Sequence, residues 1–511
     1  MLSERPADPL ENLIHRVETA VKEYEFSEAA ALIERNTAEV WYGLPPARTR
    51  EIVEQITAHG EKHGVQHLAG LRALFSVSDD AAATNAIAVQ AASEGGLESL
   101  RVDMGAVVAM YHLRMSGRAH EALELLASTY QDGTDINTLF DPNGSTNLMA
   151  AVQLGVTAML AGNYNLALTY FANAQIRPPI PTVPFLTRDA YVKAAMIHAI
   201  IGDPDDAIRA LNRSHGLPRT NSWAERLVDA NEIFVRALIS SSEETAEDLL
   251  AVPLHELGET WPFYVIALNR TADHIGFRQD IEDELITMEK LPLPRVHGES
   301  LPGSIFQVSR CLRNLARGDV VAARRFVDEA DPEDVFTQRC QLLVELASGR
   351  FRAAKRAAKE LGSNPRAAGL RRVELWKLSG LAESHLALGA RDKALEALRA
   401  MDSLAGGISV EDVRELGTRT RKFAGDPFPK WPTVGTTHLR HPGSGEEPVN
   451  LTDREFEILR LLNRDISRAE MARELFISVN TLKGHLRSIY RKLGVTNKDA
   501  AVIRASREGW L

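Results

Sequence analysis

The sequence predicts an all-α protein, in which a solenoid of helical hairpins is followed by a small domain of four short helices. Three observations predict it: a helix–glycine–helix pattern recurs along the chain, a proline- and glycine-rich break precedes roughly the last 60 residues, and that last part carries closely spaced helix-capping signals. Aromatic residues are only 6% of the 511 residues, which favours helix over sheet. We expect a repeat domain at 1–424, a linker at 425–449 and a terminal domain at 450–511.

The repeated unit is a glycine followed five positions later by an alanine, between two apolar helical segments. The pairs are Gly117/Ala122, Gly162/Ala167, Gly202/Ala207, Gly318/Ala323, Gly349/Ala354 and Gly389/Ala394. Glycine can end the first helix in a left-handed conformation, and the small alanine lets the second helix lie close to the first. A degenerate copy without the glycine is predicted around Ala29. Because such hairpins cannot bury their apolar faces alone, we expect them to stack, although the pattern sets no boundaries between 215 and 300.

The break and the charge distribution separate the terminal domain from the rest of the chain. Residues 426–450 contain five prolines and no helical periodicity, which indicates an extended linker. Residues 451–511 contain 12 Lys and Arg against 8 Asp and Glu, whereas residues 1–450 contain 47 against 61. An acidic body with a basic terminal domain predicts that only the terminal domain meets a polyanion.

The composition predicts a cytoplasmic protein. The charged N-terminus lacks the apolar stretch of a secretory signal, and no apolar run is long enough to span a bilayer, so we expect no membrane contact. The two cysteines, Cys311 and Cys340, lie in apolar helical patterns. They are predicted to be buried thiols rather than a disulfide.

Helix-start signals divide the terminal domain into four short helices. The predicted starts are capping boxes at Thr452/Glu455 and Ser467/Glu470, a cap at Ser478, and a weaker acidic box at Thr496/Asp499. Each start precedes a segment with helical apolar spacing. Four short helices over this length are typical of a compact helix-turn-helix domain.

The third of these helices has two different faces. Its apolar residues follow i, i+4, i+7, i+11 spacing and should pack inward: Leu482, Leu486, Ile489 and Leu493. The opposite face carries Asn480, Lys483, Gly484, Arg487 and Arg491, and no carboxylate occurs from 475 to 498. Such a face suits the major groove, where Lys483 and Arg487 can reach guanine acceptors and Gly484 removes side-chain bulk. Charge alone leaves a solvated helix surface open as the alternative.

Three segments resemble the helix-turn-helix module of LuxR-family regulators in order and spacing: LTDREFEILRLL, ISRAEMARELFIS and VNTLKGHLRSIYRKLGV. TLKGH and RKLGVTNKDAAV match two further signatures of that family. The resemblance covers residues 451–511 and implies a transcription regulator that binds double-stranded DNA as a homodimer, with RNA polymerase as a candidate partner. It implies a scaffold helix at 467–475 and a recognition helix at 478–492.

The resemblance and the two faces of the helix together assign roles to individual residues. Base edges would be read by Lys483, Gly484, Arg487 and Asn480, phosphates would be contacted by Arg468, Ser478, Thr481 and Arg491, and the dimer contact would involve Ala500, Ala501 and Arg504. Asp465 and Ala469 stand where the family usually has glycine and lysine. Arg468 is therefore the expected substitute for a phosphate contact that Ala469 cannot make.

The hairpins resemble the degenerate tetratricopeptide-like repeats of the MalT branch of these regulators, over roughly residues 20–405. Regulators of that branch carry an ATP-binding domain, but the dipeptide Gly-Lys that a phosphate loop needs does not occur in this chain. The resemblance implies a repeat domain that senses an unidentified small-molecule or protein effector. Because the Gly-Lys dipeptide is absent, we expect neither an ATPase domain nor a cofactor.

No catalytic constellation or metal site is predicted. His255 and Glu256 begin like a zinc-protease motif, but the second histidine is absent. His59, His63 and His67 have helical spacing but are interrupted by glycines, so a surface row is the expected interpretation. We expect a regulator rather than an enzyme. The competing interpretation is a repeat scaffold that mainly binds a partner protein, with DNA contact secondary.

Overall fold

The computed structural model describes residues 8–59, 109–129, 142–275, 278–433 and 453–507, apart from residues 463, 465, 476 and 494. Within these residues all regular secondary structure is helical, which confirms the predicted all-α class. The first helices are α1 Pro9–Lys22, α2 Phe26–Arg35, α3 Thr37–Gly43, α4 Pro46–Ala58 and, after helical residues 109–115, α5 Ala119–Thr129. None of the described helices combines the length and the apolar character that a membrane span requires.

A series of helical hairpins follows. The hairpins are α6 Ser145–Leu160 with α7 Tyr164–Ile176, α8 Pro184–Ile201 with α9 Pro204–His215, α10 Glu225–Ile239 with α11 Glu243–Leu250, α12 Trp261–Ile275 with α13 Gln279–Lys290, α14 Ser300–Ala316 with α15 Val320–Asp328, α16 Val335–Ala347 with α17 Phe351–Ser363, and α18 Arg371–Ala387 with α19 Arg391–Asp402. Successive first helices begin about 35–41 residues apart, which is the range of helical repeats.

Stacking of these hairpins builds the core. In each hairpin the two helices pack against each other, and the first helix also packs against the first helix of the next hairpin. Aromatic rings join neighbouring hairpins: the ring centres of Phe234 and Tyr264 are 5.5 Å apart, and Trp261 stacks on Phe306 at 5.5 Å. The predicted solenoid is therefore present, because each hairpin buries its apolar face on the next.

The predicted turn is found at five of the six repeat glycines. Gly117, Gly162, Gly318, Gly349 and Gly389 have φ angles from 70° to 83°. After each of them the next residue donates its amide to the carbonyl five residues earlier, as at 2.8 Å from Asn163 to Ala158. All six repeat alanines are 0% exposed. The alanine therefore sets how closely the two helices of each hairpin approach.

The predicted left-handed turn is absent at Gly202, whose φ and ψ are −99° and −142°. Pro204 begins the next helix here, and the Asp203 side chain caps it by accepting from the Asp205 amide at 2.9 Å. A Cβ at Gly202 would lie 2.8 Å from the Cα of His198. The glycine is needed at this turn because there is no space for a side chain, rather than for left-handed backbone.

The degenerate copy around Ala29 is confirmed in an unexpected way. Tyr24 takes the position of the repeat glycine and adopts its left-handed conformation, with φ 58°. The amide of Glu25 donates to the carbonyl of Ala20 at 2.8 Å, as after the repeat glycines. Ala29 is 0% exposed. The turn is therefore kept without the glycine, at the steric cost that an L-residue has in this conformation.

Two hairpins lie between 215 and 300, where the glycine–alanine pattern set no boundary. In α10–α11 the alanine is retained as Ala246, fully buried, while Ser241 stands at the glycine position. Ser242 then starts α11 with a capping box that includes Thr245. In α12–α13 the alanine position is occupied by Ile281, also fully buried. Neither of these repeats matches the glycine–alanine pattern, because each lacks one of its two residues.

Hairpins that are distant in sequence also touch. The amide of Asn165, at the start of α7, donates to the carbonyl of Arg366 at 3.0 Å, and its side chain donates to the carbonyl of Pro365 at 3.1 Å. The rings of Tyr164 and Phe336 meet edge to face at 6.2 Å. The array therefore curls until α7 meets the segment around α16 and α17.

Two short helices, α20 Val410–Glu415 and α21 Thr418–Ala424, follow the last hairpin, and α21 packs on α18. Beyond them Phe428 and Trp431 stack at 4.8 Å, and the indole N–H of Trp431 donates to Asp402 at 2.7 Å. The first residues of the predicted linker thus contact the last hairpin. Residues 434–452 lie outside the described part of the chain.

The structure places both cysteines and one histidine, His59, of the predicted surface row. Cys311 on α14 and Cys340 on α16 are free and buried, which confirms that they are core thiols. The ring of His59 stacks on Phe26 at 4.2 Å, while His63 and His67 lie outside the described residues.

Tyr24→Gly is expected to stabilise the α1–α2 hairpin relative to Tyr24→Ala. Both substitutions remove the ring, but only glycine adopts a positive φ without steric cost, so the expected difference in opening free energy is about 1 kcal/mol. Native-state hydrogen exchange of the α1 and α2 amides measures it. Gly349→Ala is the matched control, measured on the α16 and α17 amides, because its Cβ would meet nothing within 4 Å and only the backbone strain would change. Equal protection in the two Tyr24 variants would contradict the strain.

Candidate nucleic-acid interface

The terminal domain consists of four helices around one small core. They are α22 Asp453–Leu462, α23 Arg468–Glu474, α24 Val479–Leu493 and α25 Lys498–Arg507. α24 packs against the other three, and α22 also packs against α25. The buried side chains include Ile458, Leu459, Leu462, Met471, Leu475, Leu482, Leu486, Ile489, Leu493, Ala501 and Ala505. The four predicted helices are therefore present and α24 is central to their packing.

Two of the predicted caps are confirmed. The amide of Ser467 donates to the carboxylate of Glu470 at 2.7 Å, and the amide of Glu470 donates to the Ser467 hydroxyl at 3.3 Å. The side-chain hydrogen bond with Ser467 is the main cause that lowers the pKa of Glu470. At the start of α24, the hydroxyl of Ser478 accepts the amide of Thr481 at 3.0 Å. Both turns are thus fixed by local hydrogen bonds.

The other two predicted caps have different outcomes. At the start of α25 the capping side chain is Asn497, which accepts the amide of Ala500 at 2.8 Å, so the predicted box at Thr496 is wrong. Asparagine is as good a capping residue as threonine, and here it is one position closer to the helix. Thr452 lies outside the described residues.

α24 is one continuous helix of 15 residues with the two predicted faces. Leu482, Ile489 and Leu493 are 0% exposed and Leu486 is 4% exposed. The exposed side of the helix carries Asn480, Thr481, Lys483, Gly484, Arg487 and Arg491. The arrangement confirms the inward and outward assignments of the apolar and basic residues.

The outward cations differ in their surroundings from the inward one. Lys492 donates to Glu455 at 2.6 Å, and the side chain of Glu455 is only 5% exposed. Lys483, Arg487 and Arg491 form no hydrogen bond or ion pair with any residue that the structure describes. The inner cation is neutralised within the domain, and the outer three present their charge to solvent. No local sequence pattern indicates the Lys492–Glu455 pair, because its two residues lie on different helices.

Gly484 lies on the exposed face between Lys483 and Arg487. A Cβ at this position would meet nothing within 4 Å, and the φ angle is not in the left-handed region. Glycine in a helix interior is less stable than alanine by about 0.5–1 kcal/mol. Since nothing within the described domain requires the glycine, its use fits a surface that a partner approaches closely.

The predicted phosphate contacts are all accessible. Arg468, Ser478, Thr481 and Arg491 are exposed, as is Ala469. The hydroxyls of Ser478 and Thr481 lie 2.8 Å apart at the first turn of α24. They form a polar pair at the helix N-terminus, where an anion is favoured.

The predicted dimer contact must be corrected at one position. Ala501 is 0% exposed, because it faces the core that α25 shares with α22 and α24, so it cannot reach a second copy. Ala500 is partly exposed, and the side chain of Arg504 lies outside the described residues. The described residues contain no group of three or more His, Cys, Asp or Glu side chains that could hold a metal ion.

Comparison with known families supports the assignment of the terminal domain. Residues 449–505 match the family described as bacterial regulatory proteins, luxR family. The matched range covers α22, α23 and α24 and most of α25. The match identifies the terminal domain as a helix-turn-helix module of DNA-binding transcription regulators, in agreement with the resemblance noted in the sequence.

Gly484→Ala is expected to have opposite effects on stability and on DNA binding. The added methyl group should stabilise the terminal domain by about 0.5–1 kcal/mol, because it lowers the conformational entropy of the unfolded chain and meets no neighbour in the folded domain. It should weaken duplex binding at least about tenfold if α24 enters the groove. Thermal unfolding and fluorescence anisotropy with the same preparation measure the two effects. Stabilisation without any loss of affinity would show that DNA does not approach this face.

Proposed function

We propose that this protein is a sequence-specific transcription regulator whose α24 reads base edges in the major groove. Lys483, Gly484, Arg487 and Asn480 form the reading face in this proposal. The repeats sense an unidentified effector and thereby control a terminal domain that binds DNA as a dimer, with RNA polymerase as a further partner.

The observation that carries the proposal is the uncompensated cationic face of α24. Lys483 and Arg487 lie one turn apart on the same side of the helix. Lysine and arginine are the side chains that most often contact the O6 and N7 acceptors of guanine. At 1.5 Å per residue, α24 is about 22 Å long, which suits an insertion into the major groove.

The phosphate contacts would position this helix. Arg491 extends the cationic face toward the C-terminus of α24, while Ser478 and Thr481 lie at its N-terminus. Arg468, at the start of α23, adds a charge from the scaffold helix. Contacts of this kind fix register and orientation on the duplex but carry no sequence information. The side of α25 that carries the partly exposed Ala500, and not the buried Ala501, is the surface that we propose for the contact between two copies.

Replacing Lys483 or Arg487 by alanine should cost about 1–3 kcal/mol of specific binding each and should relax the preference at one base pair. Footprinting and competition with non-specific duplex measure both quantities. Arg464→Ala is the matched control: it removes one exposed cation from the same domain, but Arg464 lies outside α24 and pairs with Glu474 at 2.7 Å. Unchanged site preference in both α24 variants would rule out this reading face.

Arg491→Ala and Arg468→Ala should behave differently from the base-reading variants. Each should weaken specific and non-specific binding to a similar extent, because phosphates are the same in every sequence. The slope of log affinity against log salt should fall by about one for each lost phosphate contact. A titration between low and high salt measures it. A change of site preference without a change of slope would contradict the phosphate role.

A further inference from the structure

At the C-terminal end of the repeats, the carboxylate of Glu415 lies among donors from two separate hairpins. Arg372 Nη1 donates to Glu415 Oε1 at 2.8 Å, and Arg339 Nη2 donates to Oε2 at 3.4 Å. The indole N–H of Trp376 also donates to Oε2. The guanidinium of Arg339 lies 4.4 Å from the centre of the Trp376 ring, which orients its donors. We refer to Arg339, Arg372 and Trp376 as the Arg–Trp site.

The Arg–Trp site offers more positive charge and more donors than Glu415 satisfies. The Nε atoms of Arg339 and Arg372 are buried and have no hydrogen-bond partner. Burial raises the pKa of Glu415, but the charges of Arg372, Arg339 and Arg270 and the Trp376 hydrogen bond outweigh it and bring the pKa to about 2. Burial raises the pKa of the nearby Asp273 to about 6. Two carboxylates, Glu415 and Asp273, thus lie among three guanidinium groups, and Arg270 already donates to two backbone carbonyls. An anion of higher charge than the Glu415 carboxylate would neutralise Arg339 and Arg372 better.

A neighbouring ion pair of the same segment shows how a purely structural contact is built here. Arg371 donates to both oxygens of Asp412 and to two backbone carbonyls, and the two side chains are 9% and 2% exposed. The side chains of Glu415 and Arg339 are instead 19% and 23% exposed. Arg372 and Trp376 are 6% and 5% exposed, so the Arg–Trp site reaches the surface only on its Arg339 side, which is the side from which a small ligand can approach.

We propose that the Arg–Trp site binds an oxyanion, the carboxylate or phosphate group of a small acidic ligand, and that Glu415 occupies the site until such a ligand displaces it. Glu415 is the last residue of α20, and the chain continues from there toward the terminal domain. Ligand binding therefore competes with the attachment of α20 to the repeats. This inference rests on the proposed function only for its consequence, an effector signal that reaches the DNA-binding domain, since the binding itself requires no DNA.

Thermal unfolding of the full chain in inorganic phosphate or succinate, against chloride at equal ionic strength, tests the site. Glu415→Gln removes the competing charge, and Glu411→Gln is the matched control because Glu411 is exposed on the same helix. The half-saturating concentration of phosphate or succinate should be about tenfold lower in Glu415→Gln than in the wild type and the control. Adding Arg372→Gln should abolish the response. A response to either probe that is stronger in Glu415→Gln and is lost with Arg372→Gln supports the site, and the stronger probe identifies the group that the ligand carries.

Equal responses of Glu415→Gln and Glu411→Gln, or a response that survives Arg372→Gln, would overturn the proposal. If Glu415→Gln does not fold, Glu415→Asp against Glu411→Asp gives the same comparison, because the shortened side chain keeps its charge but withdraws from the site.

The wild type supplies a readout that needs no variant: the saturating probe should speed hydrogen exchange of the α20 amides about tenfold, and not that of the α19 amides. Unchanged exchange in α20 would exclude displacement. None of these readouts involves DNA, so failure here and failure of DNA recognition are distinguishable.

Discussion

The burial of one apolar edge of α24 is the constraint on which the terminal domain depends. Leu482, Ile489 and Leu493 have no exposed surface, and each contributes about 1.5–3 kcal/mol by leaving water. Turning the helix by half a turn would expose this edge and bury Lys483 and Arg487 without partners, which costs several kcal/mol per ion. Both effects favour the same orientation. The cationic face therefore points outward because of the core, and it needs no contact of its own within the domain.

Neither the glycine nor its left-handed turn is common to all hairpins of the repeats. Tyr24 adopts the left-handed turn without glycine, whereas Gly202 is a glycine without the left-handed turn. What the hairpins share is a small or apolar side chain that is fully buried at the start of the second helix, such as Ala246 or Ile281. Close approach of the two helices is thus the common requirement, and several local sequences meet it.

Sequence alone predicts the parts of this protein that depend on neighbours in the chain. The caps at Ser467 and Ser478 follow from residues three positions apart, and the two faces of α24 follow from its period. Contacts between distant residues have no such signal: Lys492 with Glu455, or Glu415 with the Arg–Trp site, depend on how helices pack. The predicted dimer contact of Ala501 is wrong for the same reason, since the buried side of a short helix is defined only by the helices that pack on it.

Selection of duplexes from a random library by the purified full chain decides whether α24 reads base sequence. The wild type should enrich one motif that contains guanine. The double variant Lys483→Ala/Arg487→Ala should bind duplex more weakly and enrich no motif, because the phosphate contacts remain while the base-reading side chains are gone. Enrichment of the same motif by both proteins would exclude base reading by α24, as would a wild type that binds every duplex equally.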